Sequence, residues 1–194
     1  IVDTFHDYNK KELLNRFEWE LNYALEHRIS LNPILNSFQH TFHKYRISYH
    51  LVASFLDSMR MDLTKTLFET QAEYKSYIYG SADVVGLMCL HVFTQGDKLK
   101  YEELKVSAMA LGSAFQKVNF LRDLKADIED LDRRYFPEIV GTKLNEQNKS
   151  IIISDIENDF HEAYLGIQKL PGRSKLAVLL AYYYYLILLR KIKR

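Results

Sequence analysis

The sequence predicts an all-α domain, and three observations carry that prediction. Only three prolines and seven glycines occur in 194 residues, too few for the many turns of a β-sandwich or barrel. Apolar residues recur at steps of three and four through most of the chain, the pattern of helices packed along one side. Cys89 is the only cysteine, so no intramolecular disulfide can form and packing alone must hold the core. At this length one core is the default, and residues 1–194 are expected to form one domain. Roughly eight helices with little or no sheet would account for the pattern. The formal charge of +1 lacks the basic excess of a nucleic-acid footprint, so no nucleic-acid partner is expected. No HExxH occurs, and the cysteine usage suits a reducing, cytoplasmic setting.

In chain order, the first helix runs from Asn9 to Glu26, with Leu13, Leu14, Phe17, Leu21, Ala24 and Leu25 on its apolar side. Trp19 packs at its edge and carries no chemistry. Asn32 and Pro33 form an N-cap and first-turn pair, opening a helix from Ile34 to Tyr45. Another begins near Tyr49. In it Asp57 and Asp62 lie about 140° apart, so they are read as capping or pairing with basic neighbours. Glu73 to Phe93 holds Gly80 and Gly86 inside a helical pattern, each costing about 1 kcal/mol relative to alanine. That cost suggests close packing or a ligand. Tyr77, Ser81, Val84 and Met88 share one face, with slender groups below a tyrosine hydroxyl. Asp83 projects about 120° from Tyr77 and is expected to cap or pair on the outside.

Gln95-Gly96-Asp97 ends that helix as a turn, and the helix that organises the chain begins at about Tyr101. Gln116, Asn119, Asp123 and Asp127 are separated by steps of three, four and four, which puts all four on one face. Leu111, Ala114, Phe115, Val118, Leu121 and Leu124 fill the other sides, so neighbouring helices should surround it. A polar stripe on such a helix needs something polar to face. Two carboxylates four residues apart repel, and water, cationic side chains or a divalent cation would relieve them. Hard carboxylate oxygens suit Mg²⁺.

Arg133 and Arg134 follow in a charged, then aromatic stretch that ends at Pro137. They can meet phosphate oxygens or stay solvated. Asn145 to Ser154 reads as a polar connection, and Asp155 to Leu170 as an amphipathic helix. From Leu176 to Leu189 the chain is apolar apart from tyrosine hydroxyls, shorter than the roughly 20 residues that span a bilayer. Arg190, Lys191, Lys193 and Arg194 close the chain, either as a helix terminus favoured by the macrodipole or as a peripheral membrane contact.

Asn119-Phe120-Leu121-Arg122-Asp123 with Asp127, then Arg133-Arg134-Tyr135-Phe136-Pro137, resembles the second aspartate-rich motif and flap of the squalene/phytoene synthase family. Tyr77 to Gly86 is similar to that family's tunnel-lining helix, and Leu170 to Lys175 to the loop before its final helix. Ile1-Val2-Asp3 looks like the end of the first aspartate motif, so the chain is expected to open inside it, without the upstream helices. Asp3 and Asp7 also form a DxxxD, which leaves the register open. Asp3 is preferred, and Asp7 is read as solvated.

The resemblance implies an isoprenoid-synthase helical bundle around a central cavity. It implies Mg²⁺ on Asp3, Asn119, Asp123 and Asp127. Prenyl diphosphate would bind Tyr77, Ser81, Val84, Gln116, Asn119 and Arg122, and Tyr77, Asp123 and Asp127 would be catalytic. Arg122 projects about 120° from the aspartate stripe, so a structural salt bridge is the alternative for it. Tyr184 is the matching tyrosine of the final helix. The implied reaction joins two geranylgeranyl diphosphates head to head. Two farnesyl diphosphates are the alternative, and a non-catalytic assembly member of the family is a reading of another class.

Overall fold

The computed structural model describes residues 7–142 and 144–193. Eight α-helices account for most of them, and no β-strand occurs among the described residues. Helix α1 (Lys10–His27) starts where the Asn9 side chain accepts from the Glu12 N–H at 3.2 Å. Helix α2 (Pro33–Lys44) starts at Asn32, whose side chain accepts from the Ile34 N–H at 3.0 Å. These are side-chain caps for otherwise orphaned first-turn donors. Helix α3 (Tyr49–Met61) packs with α1 and α2 through Leu14, Leu21, Leu35, Val52 and Leu56.

Helix α4 (Gln71–Ile78) opens with a reciprocal capping box between Thr70 and Glu73. One turn of π-helix, Tyr79–Asp83, then leads without a break into α5 (Val84–Phe93). This run from Gln71 to Phe93 is long and apolar enough, by length and composition, to cross a membrane. Here Tyr77, Ile78, Val84, Leu87 and Leu90 of the same run are buried among other helices.

Helix α6 (Lys98–Leu131) is the axis, about 51 Å long at 1.5 Å per residue. It packs against α5 and the π turn, and against α7 (Glu146–Ile167) and α8 (Gly172–Lys193). Glycines let these backbones approach. A Cβ on Gly112 of α6 would lie 2.7 Å from Ala82 O, and one on Gly86 of α5 would lie 2.5 Å from Ala108 O. The in-helix glycines are therefore repaid by close helix contact.

Three starts differ from the sequence reading. Helix α8 begins at Gly172, so residues 172–175, likened to the loop before the final helix, are its first turn. Helix α6 begins at Lys98 because Asp97 caps it, accepting from the Leu99 and Lys100 N–H groups. Helix α7 begins at Glu146, where Asn145 and Asn148 cap each other's backbone. Its first turns then bury Ile152 and Ile153. Capping by paired asparagines makes a polar stretch look like a loop.

Behind α6, Lys117 Nζ reaches Asp155 at 2.5 Å and Asp159 at 2.7 Å on α7. Burial pulls the ammonium's pKa down, but the two carboxylates outweigh it and the net shift is upward.

Candidate functional site

Two segments that follow helices meet at one rim of the molecule. Residues after α3 and after α6 pair through a parallel bridge between Leu67 and Arg134. Phe68 N–H donates to Arg134 O at 3.2 Å, and Arg134 N–H to Thr66 O at 2.8 Å. The pairing carries an aromatic cluster. Tyr135 lies flat on Phe120 with ring centres 3.9 Å apart, and Phe68 contacts both Tyr77 and Tyr135.

Beneath this rim lies a cavity of about 610 Å³. Asp62, Tyr77, Ser81, Gln116, Asn119, Arg122, Asp123, Asp127 and Arg133 supply its polar wall. The stripe of α6 thus faces one space. A second cavity of about 440 Å³ lies between α5, α6, α7 and α8. Its walls are almost entirely apolar, with Val85, Cys89, Leu111, Phe115 and Val178 among them. Ser81 and Gln116 line both cavities.

The Tyr77 hydroxyl donates to Asp62 Oδ1 at 2.7 Å. Burial, then the Asp62 charge, hold its pKa far above the ordinary phenol value, so the side chain stays a protonated hydrogen-bond donor at any physiological pH. Arg133 Nη2 donates to Asp62 O at 2.9 Å, which fixes the rim arginine over the end of α3. Arg122 forms a two-pronged pair with its neighbour, Nε to Asp123 Oδ1 at 2.8 Å and Nη2 to Oδ2 at 2.6 Å. Both partners are about half exposed, so this pair is open to rearrangement. Among the described residues Asn119 Oδ1 and Ser81 Oγ are sealed from solvent and have no hydrogen-bond partner, and buried polar atoms rarely stay orphaned.

Most of the residues singled out from sequence line the outer cavity. Val84 does not. It is fully buried in a cluster with Ile47, Leu51 and Leu87. Met88 also packs into the core. The cause is the π turn, in which the Val84 N–H reaches back to Tyr79 O. That turn adds one residue to the helix and shifts everything after it by one position. The face that begins at Tyr77 and Ser81 therefore continues through Val85 and Cys89.

Asp83 is not on the outside either. It is buried and accepts from Ser113 Oγ of α6 at 2.7 Å, outside both cavities. Burial pushes its pKa up to about 6, with Ser113 and Lys117 opposing. Asp3 lies outside the described residues, and Asp7 is exposed. Of the flap arginines only Arg133 lines the cavity, and Arg134 turns toward Asp132 at 4.0 Å. Tyr184 is exposed, whereas its neighbour Tyr185 stacks on Phe115.

Asp62 is the cavity residue that sequence reasoning set aside. Its spacing to Asp57 excluded a shared site, and Asp57 does pair with Arg60 at 2.9 Å. The usable signal was position, because a carboxylate just past the end of α3 can reach Tyr77 on the next helix.

Among the described residues no group of three or more His, Cys, Asp or Glu can hold a metal by itself. Asp123, Asp127 and the orphaned Asn119 Oδ1 are hard oxygen donors. Such a set fits an ion that keeps waters and shares its remaining positions with phosphate oxygens, as Mg²⁺ does.

Comparison with known proteins agrees with this fold. The chloroplastic phytoene synthase of Daucus carota is 30% identical over 152 residues, which is 70% of this chain and 38% of that one. The 4,4'-diapophytoene synthase of Staphylococcus haemolyticus is 28% identical over 166 residues, 82% of this chain and 55% of that one. The chain thus spans between about a third and somewhat over half of these relatives. In structure it is similar to a squalene synthase of Alicyclobacillus acidocaldarius, with a TM-score of 0.83 at 20% identity, over 99% of this chain and 76% of that one. A dehydrosqualene synthase solved with a ligand gives 0.79, also at 20% identity, over 98% and 80%. The family model for squalene/phytoene synthase matches residues 1–194, and the chain belongs to that family.

Proposed function

We propose that residues 1–194 act as one domain of a phytoene synthase, joining two geranylgeranyl diphosphates head to head for carotenoid biosynthesis. The observation that carries this reading is a polar, acid-lined cavity beside an apolar one, with Ser81 and Gln116 in the walls of both. A prenyl diphosphate has the same two halves.

Asp123, Asp127 and Asn119 would hold Mg²⁺, with Asp3 as a further ligand from the first motif. When bound, the ions neutralise the leaving diphosphate and favour its ionisation to an allylic cation. Arg122 and Arg133 meet the diphosphate oxygens, Arg122 by leaving Asp123. Gln116 and Asn119 orient the head group. Tyr77, held by Asp62, stays a neutral phenol whose oxygen faces the head group, and the aromatic cluster around it closes the rim against water.

The cation is attacked by the double bond of the second substrate, and one proton is lost as a cyclopropylcarbinyl diphosphate forms. That intermediate loses its own diphosphate, rearranges and loses another proton to give the C40 hydrocarbon. Val85, Cys89, Leu111 and Phe115 shelter the chain and its cations from water.

Squalene or dehydrosqualene synthesis from farnesyl diphosphate is the second reading. It is favoured by the diapophytoene synthase at 28% identity. A cytoplasmic enzyme touching a membrane surface through its basic end would suit lipid substrates.

The test incubates the protein with Mg²⁺ and geranylgeranyl or farnesyl diphosphate, without reductant, and weighs the extracted lipid by mass spectrometry. A C40 product establishes the first reading and a C30 product the second. A folded protein that releases no diphosphate from either substrate would make it a non-catalytic member of the family.

A further inference from the structure

The rim joins the segments that follow α3 and α6, so the turns that precede those two helices lie at the opposite end of the bundle. They meet there, where a Cβ on Gly96 would stand 3.9 Å from Tyr45 O. His43 Nε2, at the end of α2, lies 2.8 Å from Leu25 O in the last turn of α1. Lys169, just past α7, reaches Glu103 in the first turns of α6 at 3.0 Å. The turns at 28–32, 45–48, 94–97 and 168–171 therefore share one end, and its charge is the reverse of the acid-lined rim. Residues 27–56 contain no Asp or Glu, in a chain that has 25. Arg28, Lys44, Arg46, Lys98 and Arg173 are exposed around these turns, while Asp97 is engaged in capping α6 and Glu103 in its pair with Lys169. Three side chains of this end, Leu31, Leu99 and Ile34, are also the most exposed large apolar groups among the described residues, Leu31 fully and the others by 86% and 76%.

The backbone gives a second, independent sign. Arg28 and Arg46 stand at the C-terminal ends of α1 and α2 with φ of 56° and 55°, in the left-handed region that glycine enters freely and an arginine enters at a cost. Among the described residues neither guanidinium has an ion-pair partner that would offset the strain. A cation kept where glycine would be easier points to a use for the charge. We propose that this end of the bundle rests on an anionic lipid bilayer. Leu31, Ile34 and Leu99 enter the interface, and Arg28, Lys44, Arg46 and Lys98 meet the headgroup phosphates. The acid-lined rim then points away from a surface that would repel it. The inference rests on the membrane-touching reading above and moves the contact from the basic end of α8. That end lies beside the rim, since Lys193 pairs with Glu157 of α7 at 2.6 Å and Lys149 Nζ donates to Lys193 O at 3.3 Å.

Co-sedimentation with vesicles tests it without turnover. The protein should bind vesicles of phosphatidylcholine mixed with phosphatidylglycerol at least about tenfold more tightly than vesicles of phosphatidylcholine alone, and added salt should weaken that binding. The double variant Arg28→Gly, Arg46→Gly removes two surface cations and should weaken binding to the mixed vesicles by about thirtyfold. Its melting temperature should hold or rise, because glycine relieves both left-handed positions. Leu31→Ser, at a fully exposed position, should weaken binding by about fivefold or more. The double variant Lys191→Gln, Lys193→Gln at the other end should bind within about twofold of wild type.

Circular dichroism checks the fold of each variant, and Leu31→Ser with Lys98→Gln decides the matter if the arginine variant does not fold. Binding lost with the lysines of α8 and kept without the two arginines overturns this face while leaving membrane contact in place. Binding lost with the arginines and unchanged in Leu31→Ser makes the end a general anion patch, open to nucleic acid or an acidic protein, and overturns the bilayer as its partner. A folded wild-type protein that ignores the mixed vesicles removes the membrane reading, and this face with it.

Discussion

The two sides of helix α6 carry charge in opposite ways. Behind it, Lys117 is nearly buried and meets two carboxylates of α7, so its charge is answered by the protein itself. In front, among the described residues, Asp123 is half exposed and answered only by the side chain next to it in sequence, and Asn119 Oδ1 is answered by nothing. A helix needs fixed partners where it is anchored and exchangeable ones where it works. The same 34-residue element does both.

The largest effect should come from the working side. Asp123→Ala is expected to reduce Mg²⁺-dependent diphosphate release by at least about a thousandfold, with urea stability changed by no more than about 0.5 kcal/mol. A loss of helicity would move Asp123 to the anchoring side. Lys117→Met should do the reverse, costing about 3 kcal/mol in urea denaturation because it strands Asp159 in a partly buried site. If it costs less than about 1 kcal/mol, the anchor lies in the apolar contacts instead.

Gly112→Ala would push a methyl against Ala82 O and should cost about 2 kcal/mol. It tests whether the π turn is held by α6. Asp83 gives a smaller, pH-dependent signal. Its pKa is about 6 in the fold, against an ordinary value of 3.8. The folded state therefore binds the proton more tightly, and stability from this group is present below pH 4 and lost as pH rises toward 6. Relative to Asp83→Asn, the wild type should lose on the order of 2 kcal/mol between pH 4 and pH 7. A pH-independent difference would mean that the carboxyl is ionised throughout. Asp57→Ala should change stability by less than about 0.5 kcal/mol, since its pair with Arg60 is exposed.

Helix spacing alone put Gln116, Asn119, Asp123 and Asp127 on one face, because a regular helix keeps its phase and α6 has no irregularity across that stretch. The all-α fold was legible for the same reason. Val84 was misplaced where regularity failed, since hydrogen bonding in the π turn leaves no mark in a pattern of Tyr, Gly, Ser and Ala. Asp62 and Lys117 were missed because their partners lie 15 and about 40 residues away. Pairing over that distance is decided by how helices pack, which periodicity does not encode. Arg122 was placed away from the aspartates by its helical angle, yet a long side chain turned back to its neighbour.

The π turn also changes what kinds of mutation can remodel the inner cavity. Its wall is assigned by counting residues, so the information lies in chain length and not in the identity of any one side chain. Substitutions at Val85 or Cys89 can only enlarge or shrink that wall. Deleting a single residue between Tyr79 and Asp83 would remove the extra residue together with the π turn, leaving Tyr77 and Val85 seven residues, two regular turns, apart and so still on one face. Val85 and Cys89 would keep the cavity wall, and Val84 and Met88 the core. Straightening the turn at its present length would instead rotate α5 by about 100° and exchange the two pairs, so the pocket is kept only where residue count and π turn change together.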